Sequence, residues 1–157
     1  MALSLDEVDV QLLTELQRDA DRPNVELARL VGLSPAATLN RVRRLKESGV
    51  LRRITARLDS TVAGFPLQVY VLVTLGRHDE AANRRFEEAV AVLPEVIAAD
   101  WVTGEVDAVL MVVAGDVGQL QRVLIRLSTR GATRLVTLLR LEELKPSSPL
   151  PLEPTRA

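Results

Sequence analysis

The chain has 157 residues, enough for one ordinary domain or two small ones and too few for an enzyme with separate cofactor and substrate halves. It has no cysteine and one histidine, His78, which excludes a disulfide scaffold, a thiolate nucleophile, an iron–sulfur cluster and a multi-histidine metal site, so no metal or cofactor is expected. The net charge of −1 hides a segment of +6 over residues 24–57, flanked by −4 before it and −3 after it, and a polyanion would feel the segment rather than the sum. Only Phe65, Tyr70, Phe86 and Trp101 are aromatic, so the core must be aliphatic and a stacking platform for single-stranded nucleic acid is not expected. Eighteen of the twenty basic residues are arginine, a ratio that codon bias explains as well as any need for guanidinium groups.

In chain order, Leu5, Val8, Leu12, Leu13 and Leu16 recur at helical spacing after Asp6, which predicts a first helix capped by Asp6 and ending near Arg18. A short second helix fits residues 24–31, with Asn24 as its cap and Leu27, Ala28, Leu30 and Val31 inward, and Gly32 stops it. Ser34-Pro35 is a cap residue followed by proline at the first helical position; it opens a third helix that runs to about Ser48, with Gly49 as the stop. Two helices joined by a short turn that begins with glycine are the helix-turn-helix pattern.

At about 100° per residue, Pro35, Thr38, Leu39, Val42 and Leu45 gather on one side of the third helix and are expected to pack inward. Ala36, Ala37, Asn40, Arg44 and Glu47 face the other way, with Arg41 and Arg43 on the flanks. Small residues let a helix backbone sink into the major groove, Asn pairs with adenine, and Arg pairs with guanine or clamps phosphate. The expected contacts to double-stranded DNA are therefore Ser34, Ala36, Ala37, Asn40, Arg41, Arg43 and Arg44. The competing reading is a solvated charged face.

Residues 50–59 alternate and predict a strand, or wing, that brings Arg52 and Arg53 near the DNA backbone. Residues 60–66, with Gly64 and Pro66, are the expected hinge; the uncharged run over 60–76 is too short and too interrupted for a membrane span. With no secretion-type leader, the protein is expected in the cytoplasm.

From Leu67 the period changes to two. Residues 67–75 alternate as a strand; Asp79 caps a helix with Ala82, Phe86, Ala89, Val90 and Leu93 inward; 95–102 and 107–114 are strands; Asp116 caps a helix with Leu120, Val123, Leu124 and Leu127 inward; 134–142 is a last strand. The order βαββαβ predicts an antiparallel sheet with both helices on one face, the ferredoxin-like arrangement. The fold class is thus α+β, with a winged helix-turn-helix over 1–59, a hinge over 60–66, the second domain over 67–145 and a proline-rich extended tail over 146–157. Two strands of the second domain are apolar on both faces while two helices cover one, which predicts that the free face meets a second copy as a homodimer. His78 is read as a surface loop residue and Trp101 as core or interface.

The chain resembles the leucine-responsive and asparagine-responsive (Lrp/AsnC) transcription regulators from Leu5 to Lys145. The resemblance rests on Leu5-Asp6-x-x-Asp9, Leu12-Leu13-x-x-Leu16-Gln17-x-Asp19, Asn24-x-Glu26-Leu27-Ala28, Val31-Gly32-Leu33-Ser34-Pro35, Arg41-Val42-Arg43-Arg44-Leu45, Gly49-Val50-Leu51, Leu93-Pro94-Glu95-Val96 and Val102-Thr103-Gly104-x-x-Asp107. Each stretch is weak singly, and together, in order, they are specific. The resemblance implies that the second domain binds a small amino-acid-like effector and oligomerises, with dimers assembling into tetramers or octamers. It implies an effector loop over 103–107, with Thr103, Gly104, Glu105 and Asp107, and a further contact at Thr137. A glycine turn that exposes N–H groups suits an α-carboxylate, and a carboxylate suits an α-ammonium. The competing reading is a hairpin turn whose polar groups only satisfy backbone. Relatives often carry an aromatic residue where Val106 stands, so this loop fits a small or apolar amino acid better.

Two further readings share the architecture. A nucleoid-type DNA organiser would bind without an effector. Siroheme decarboxylases resemble the same two-domain plan, but they carry a Tyr-Arg-Arg-Pro type stretch and extra histidines where this chain has Asp100-Trp101-Val102-Thr103-Gly104 and a lone His78, so no enzyme is expected.

Overall fold

The computed structural model describes residues 4–76 and 79–154 and divides into two compact units, one of residues 1–57 with 145–157 and one of residues 58–144. The first unit holds α1 (Glu7–Arg18), α2 (Asn24–Leu30) and α3 (Pro35–Glu47). Asp6 caps α1 through a reciprocal box, its carboxylate accepting from the Asp9 N–H while Asp9 accepts from the Asp6 N–H. Ser34 caps α3 by accepting from the Ala37 N–H at 3.2 Å, and Pro35 occupies the first helical position as expected. Asn24 does not cap α2. Pro23 takes that place, and the Asn24 amide instead donates to the Pro35 carbonyl at 2.8 Å, tying α2 to the start of α3. Gly32, at φ 68°, makes the turn between these helices with the left-handed backbone that glycine adopts at least cost. Leu12, Leu13, Leu16, Leu27, Val31 and Leu45 form the core of this unit.

The strand expected over 50–59 is not formed. Residues 50 and 51 are a bend and 52–59 have no regular structure; they are mostly exposed, and no segment among the described residues pairs with them in a ladder. Alternation favours an extended chain, but a strand also needs a hydrogen-bonded neighbour. Residues 60–64, within the expected hinge, form a hydrogen-bonded turn: Asp59 Oδ1 accepts from the Val62 N–H at 3.0 Å and the Phe65 N–H donates to the Ser60 carbonyl at 2.7 Å.

The second unit runs β1 (Leu67–Leu75), α4 (Glu80–Ala91), β2 (Val96–Trp101), β3 (Ala108–Ala114), α5 (Val117–Ser128) and β4 (Ala132–Leu139). Its sheet is antiparallel in the order β2-β3-β1-β4. This is the βαββαβ plan read from the change of period, with β4 starting two residues earlier than expected. Asp79 and Asp116 cap the two helices through the N–H groups of Ala82 and Gln119. Val69, Val71, Val73, Leu110 and Val112 face both helices, where Phe86, Val123 and Leu127 close the core. The alternate residues Tyr70, Leu72, Val109, Met111, Val136 and Leu138 share the opposite face, across from one another in the ladder. No helix among the described residues is long and apolar enough to cross a membrane. Trp101 is not core: it is 46% exposed on edge strand β2, tilted against Phe86, with its indole N–H donating to Glu87 at 2.9 Å. His78 lies outside the described residues.

Candidate nucleic-acid interface and effector loop

Asp9 lies on the apolar stripe of α1, between Leu5 and the run of buried leucines, and its side chain is only 1% exposed. A carboxylate taken out of water needs cations and hydrogen bonds. Both come from α3: Arg41 Nη1 donates to Asp9 Oδ1 at 2.9 Å and Arg44 Nη2 to Asp9 Oδ2 at 2.5 Å. Arg41 also donates to Asp6 Oδ2 at 2.6 Å. That bond, joined by the one from the Asp9 N–H, holds the Asp6 carboxyl below its ordinary pKa, and Asp6 and then Asp9 hold the Arg41 guanidinium above its own. The cluster fixes the rotation of α3 about its own axis relative to α1.

That rotation differs in part from the one expected from the helical wheel. Thr38 and Leu45 are fully buried and Val42 packs beside them, whereas Pro35 is exposed and Leu39 is 50% exposed. Arg41 is turned to α1 and half-buried, and Ala37 is half-buried. Ala36, Leu39, Asn40 and Arg43 are exposed at i, i+3, i+4 and i+7, a single face of the helix. Among the described residues Arg43, Arg52 and Arg53 make no ion pair, and Arg52 and Arg53 lie in the exposed irregular segment after α3. The bonds from Asp6 and Asp9 to Arg41 and Arg44, and the outward position of Leu39, escaped the sequence reading. For Asp9 a signal existed, since an acid in register with Leu5, Leu12 and Leu16 demands a basic partner from another element.

In the second unit the turn between β2 and β3 is closed by the Val102 N–H donating to the Asp107 carbonyl at 2.9 Å, with Gly104 at φ 126°. Asp107 is half-buried; its N–H donates to the Val73 carbonyl and its Oδ2 accepts from the Leu75 N–H at 2.7 Å. Part of its carboxylate therefore serves backbone, as the competing reading required. Thr103, Gly104 and Glu105 are exposed. Thr137 is exposed on β4 opposite Val71, on the far side of β1 from the loop, so one chain does not bring it to the turn. No cluster of metal-ligating side chains exists among the described residues.

A helix-turn-helix with an exposed helix face, followed by a four-stranded ferredoxin-like domain, defines a class of two-domain transcription regulators. Residues 5–46 match the model of the AsnC-type helix-turn-helix domain and residues 68–150 that of the Lrp/AsnC ligand binding domain. The leucine-responsive regulatory protein of Escherichia coli K12 is 36% identical over 150 residues, covering 93% of this chain and 90% of its own. That of Rhizobium meliloti is 34% identical over 145 residues, covering 91% and 93%. A transcriptional regulator from Neisseria meningitidis, solved in complex with L-methionine, superposes with a TM-score of 0.87 at 30% identity over 94% of this chain and 97% of its own. The feast or famine regulatory protein of M. tuberculosis, also complexed with L-methionine, superposes at 0.81, with 30% identity over 90% and 95%. This chain belongs to the Lrp/AsnC family of transcription regulators, with a helix-turn-helix domain and a ligand-binding domain.

Proposed function

We propose that the chain is a sequence-specific DNA-binding regulator that lays the Ala36, Leu39, Asn40 and Arg43 face of α3 in the major groove. The observation that carries this reading is the Asp9 cluster, which occupies Arg41 and Arg44 internally and leaves that face, with the free Arg43, turned outward. Asn40 suits adenine, Arg43 suits guanine and Leu39 suits a thymine methyl. Ser34, Ala37 and the outer part of Arg44, 55% exposed, line the margin, and Arg52 and Arg53 add phosphate affinity. Footprinting on genomic fragments tests it: bounded protection supports a local regulator, and extended protection on any DNA overturns sequence specificity.

The ligand-binding domain takes a small amino acid at the turn, with the Thr103 and Gly104 backbone toward the α-carboxylate and Glu105 and Asp107 toward the α-ammonium, and Thr137 contributed by another copy. The presence of L-methionine in two related structures supports that ligand class. Asp107→Asn retains an acceptor for the Leu75 N–H and removes the charge. Calorimetry with L-methionine and L-leucine should give binding to the wild type and none to this variant; equal binding to both would move the site elsewhere. The apolar face of Tyr70, Leu72, Val109, Met111, Val136 and Leu138 supports a homodimer built sheet to sheet. A monomer mass at every concentration in sedimentation would sink it.

A further inference from the structure

The proline-rich end of the chain, expected as an extended tail, folds back onto the helix-turn-helix unit. The Gln17 side-chain amide, on α1, meets the backbone of Leu150 on both sides: Oε1 accepts from the Leu150 N–H at 2.7 Å and Nε2 donates to the Leu150 carbonyl at 3.5 Å. One amide paired with both groups of a residue 133 positions away acts as a substitute strand neighbour. The Leu152 N–H then donates to the Leu150 carbonyl at 2.9 Å, closing a three-residue turn, and the Leu152 side chain, half-buried, packs against the core that holds Leu12, Leu13, Leu16 and Leu45. Pro146, Pro149, Pro151 and Pro154 fix φ along this stretch, so the segment has less freedom to lose on docking than an ordinary tail.

We propose that residues 145–154 are an intramolecular strap whose docking site is α1, so that the DNA-binding unit is assembled from both ends of the chain. α1 carries Asp9, and Asp9 holds Arg41 and Arg44 of α3. Bracing α1 from the tail therefore steadies the helix read above as the DNA interface. Only this last link rests on that reading. The strap also leaves the first unit with two covalent connections to the second, one after Arg57 and one before Lys145, where a free tail would leave one.

The absence of native cysteine makes the test direct. In the full-length chain, Gln17→Cys with Leu150→Cys and a short bismaleimide should give a crosslink confined to the monomer band; no crosslink, or a crosslink only between chains, overturns the intramolecular strap. Amide exchange in Leu152→Asp should be about tenfold faster over residues 7–18 and unchanged in the sheet unit, as expected for loss of a partly buried leucine anchor. Gln17→Ala should give a smaller acceleration, roughly threefold, from the lost hydrogen bonds. Wild-type exchange in α1 in both variants overturns the proposal. With the strap loosened, DNA binding should be lost at a temperature about 4–8 °C lower. Faster exchange in α1 with DNA binding as heat-resistant as wild type keeps the strap and removes α3 as the interface.

Discussion

In the helix-turn-helix unit the fully buried side chains include Asp9 and Thr38, whereas in the sheet unit every fully buried side chain among the described residues is apolar. The difference reflects what each unit must hold still. A sheet with two helices on one face is positioned by its ladder and by a broad layer of valine and leucine, and its alternation of faces leaves little choice of rotation. Three short helices around six core residues have no such ladder. A short helix can still rotate through a small angle about its own axis while its apolar stripe stays covered, and the Asp9 cluster removes that freedom by requiring Arg41 and Arg44 to point at α1. Buried charge contributes orientation here more than net stability.

The largest effect that would break this contrast comes from Arg41→Ala with Arg44→Ala. It leaves Asp9 buried without cations and should destabilise the helical unit by about 3–5 kcal/mol, read by helical circular dichroism in urea, while Trp101 fluorescence of the sheet unit keeps its transition. A loss under 1 kcal/mol would mean that the cluster orients nothing. The counterpart in the other unit is Leu110→Ala. Leu110 is fully buried at the middle of β3, and its truncation should cost about 2–5 kcal/mol, moving the Trp101 transition and not the DNA affinity per folded molecule.

Arg43→Ala should weaken specific DNA binding by about 1–3 kcal/mol and leave stability within about 0.5 kcal/mol of wild type. If instead Arg43→Ala binds as wild type, the reading face is misassigned. The smallest effect is electrostatic. Because the folded-state pKa of Asp6 is depressed by Arg41, its contribution is present above the ordinary carboxylate pKa and is lost as pH falls through the folded value. Acid titration of the helical unit should therefore be shallower in Asp6→Asn than in wild type below about pH 4; identical acid profiles would show that this pair contributes nothing.

Much of this was legible in the residues. Asp6, Ser34, Asp79 and Asp116 announce helix starts because a short polar side chain before an apolar stripe has one profitable use, the orphan N–H groups of the first turn. The sheet strands announce themselves by alternation, and the motifs run in the family's order. What escaped the reading depends on partners distant in sequence. Leu39 belongs to the apolar wheel but not to the buried stripe, because the wheel does not say how α1 and α2 will clasp α3. The irregular segment over 50–59 has strand composition and no neighbour to pair with among the described residues.

The effector loop occupies an intermediate place. Its residue types and glycine were readable, and so was the alternative that they serve the turn. The bond from the Leu75 N–H to Asp107 comes from a strand 32 residues earlier, which no local pattern reveals. By itself, then, the sequence determined most of the elements, the caps of α1, α3, α4 and α5, the order and the family, since these follow from spacing within a few turns of chain. Only the tertiary structure decided which face of α3 points outward, where Asp107 spends part of its charge and where the tail goes. Each of those is settled by a polar group meeting a partner across a long loop, where desolvation makes an unmet bond costly and the pairing specific.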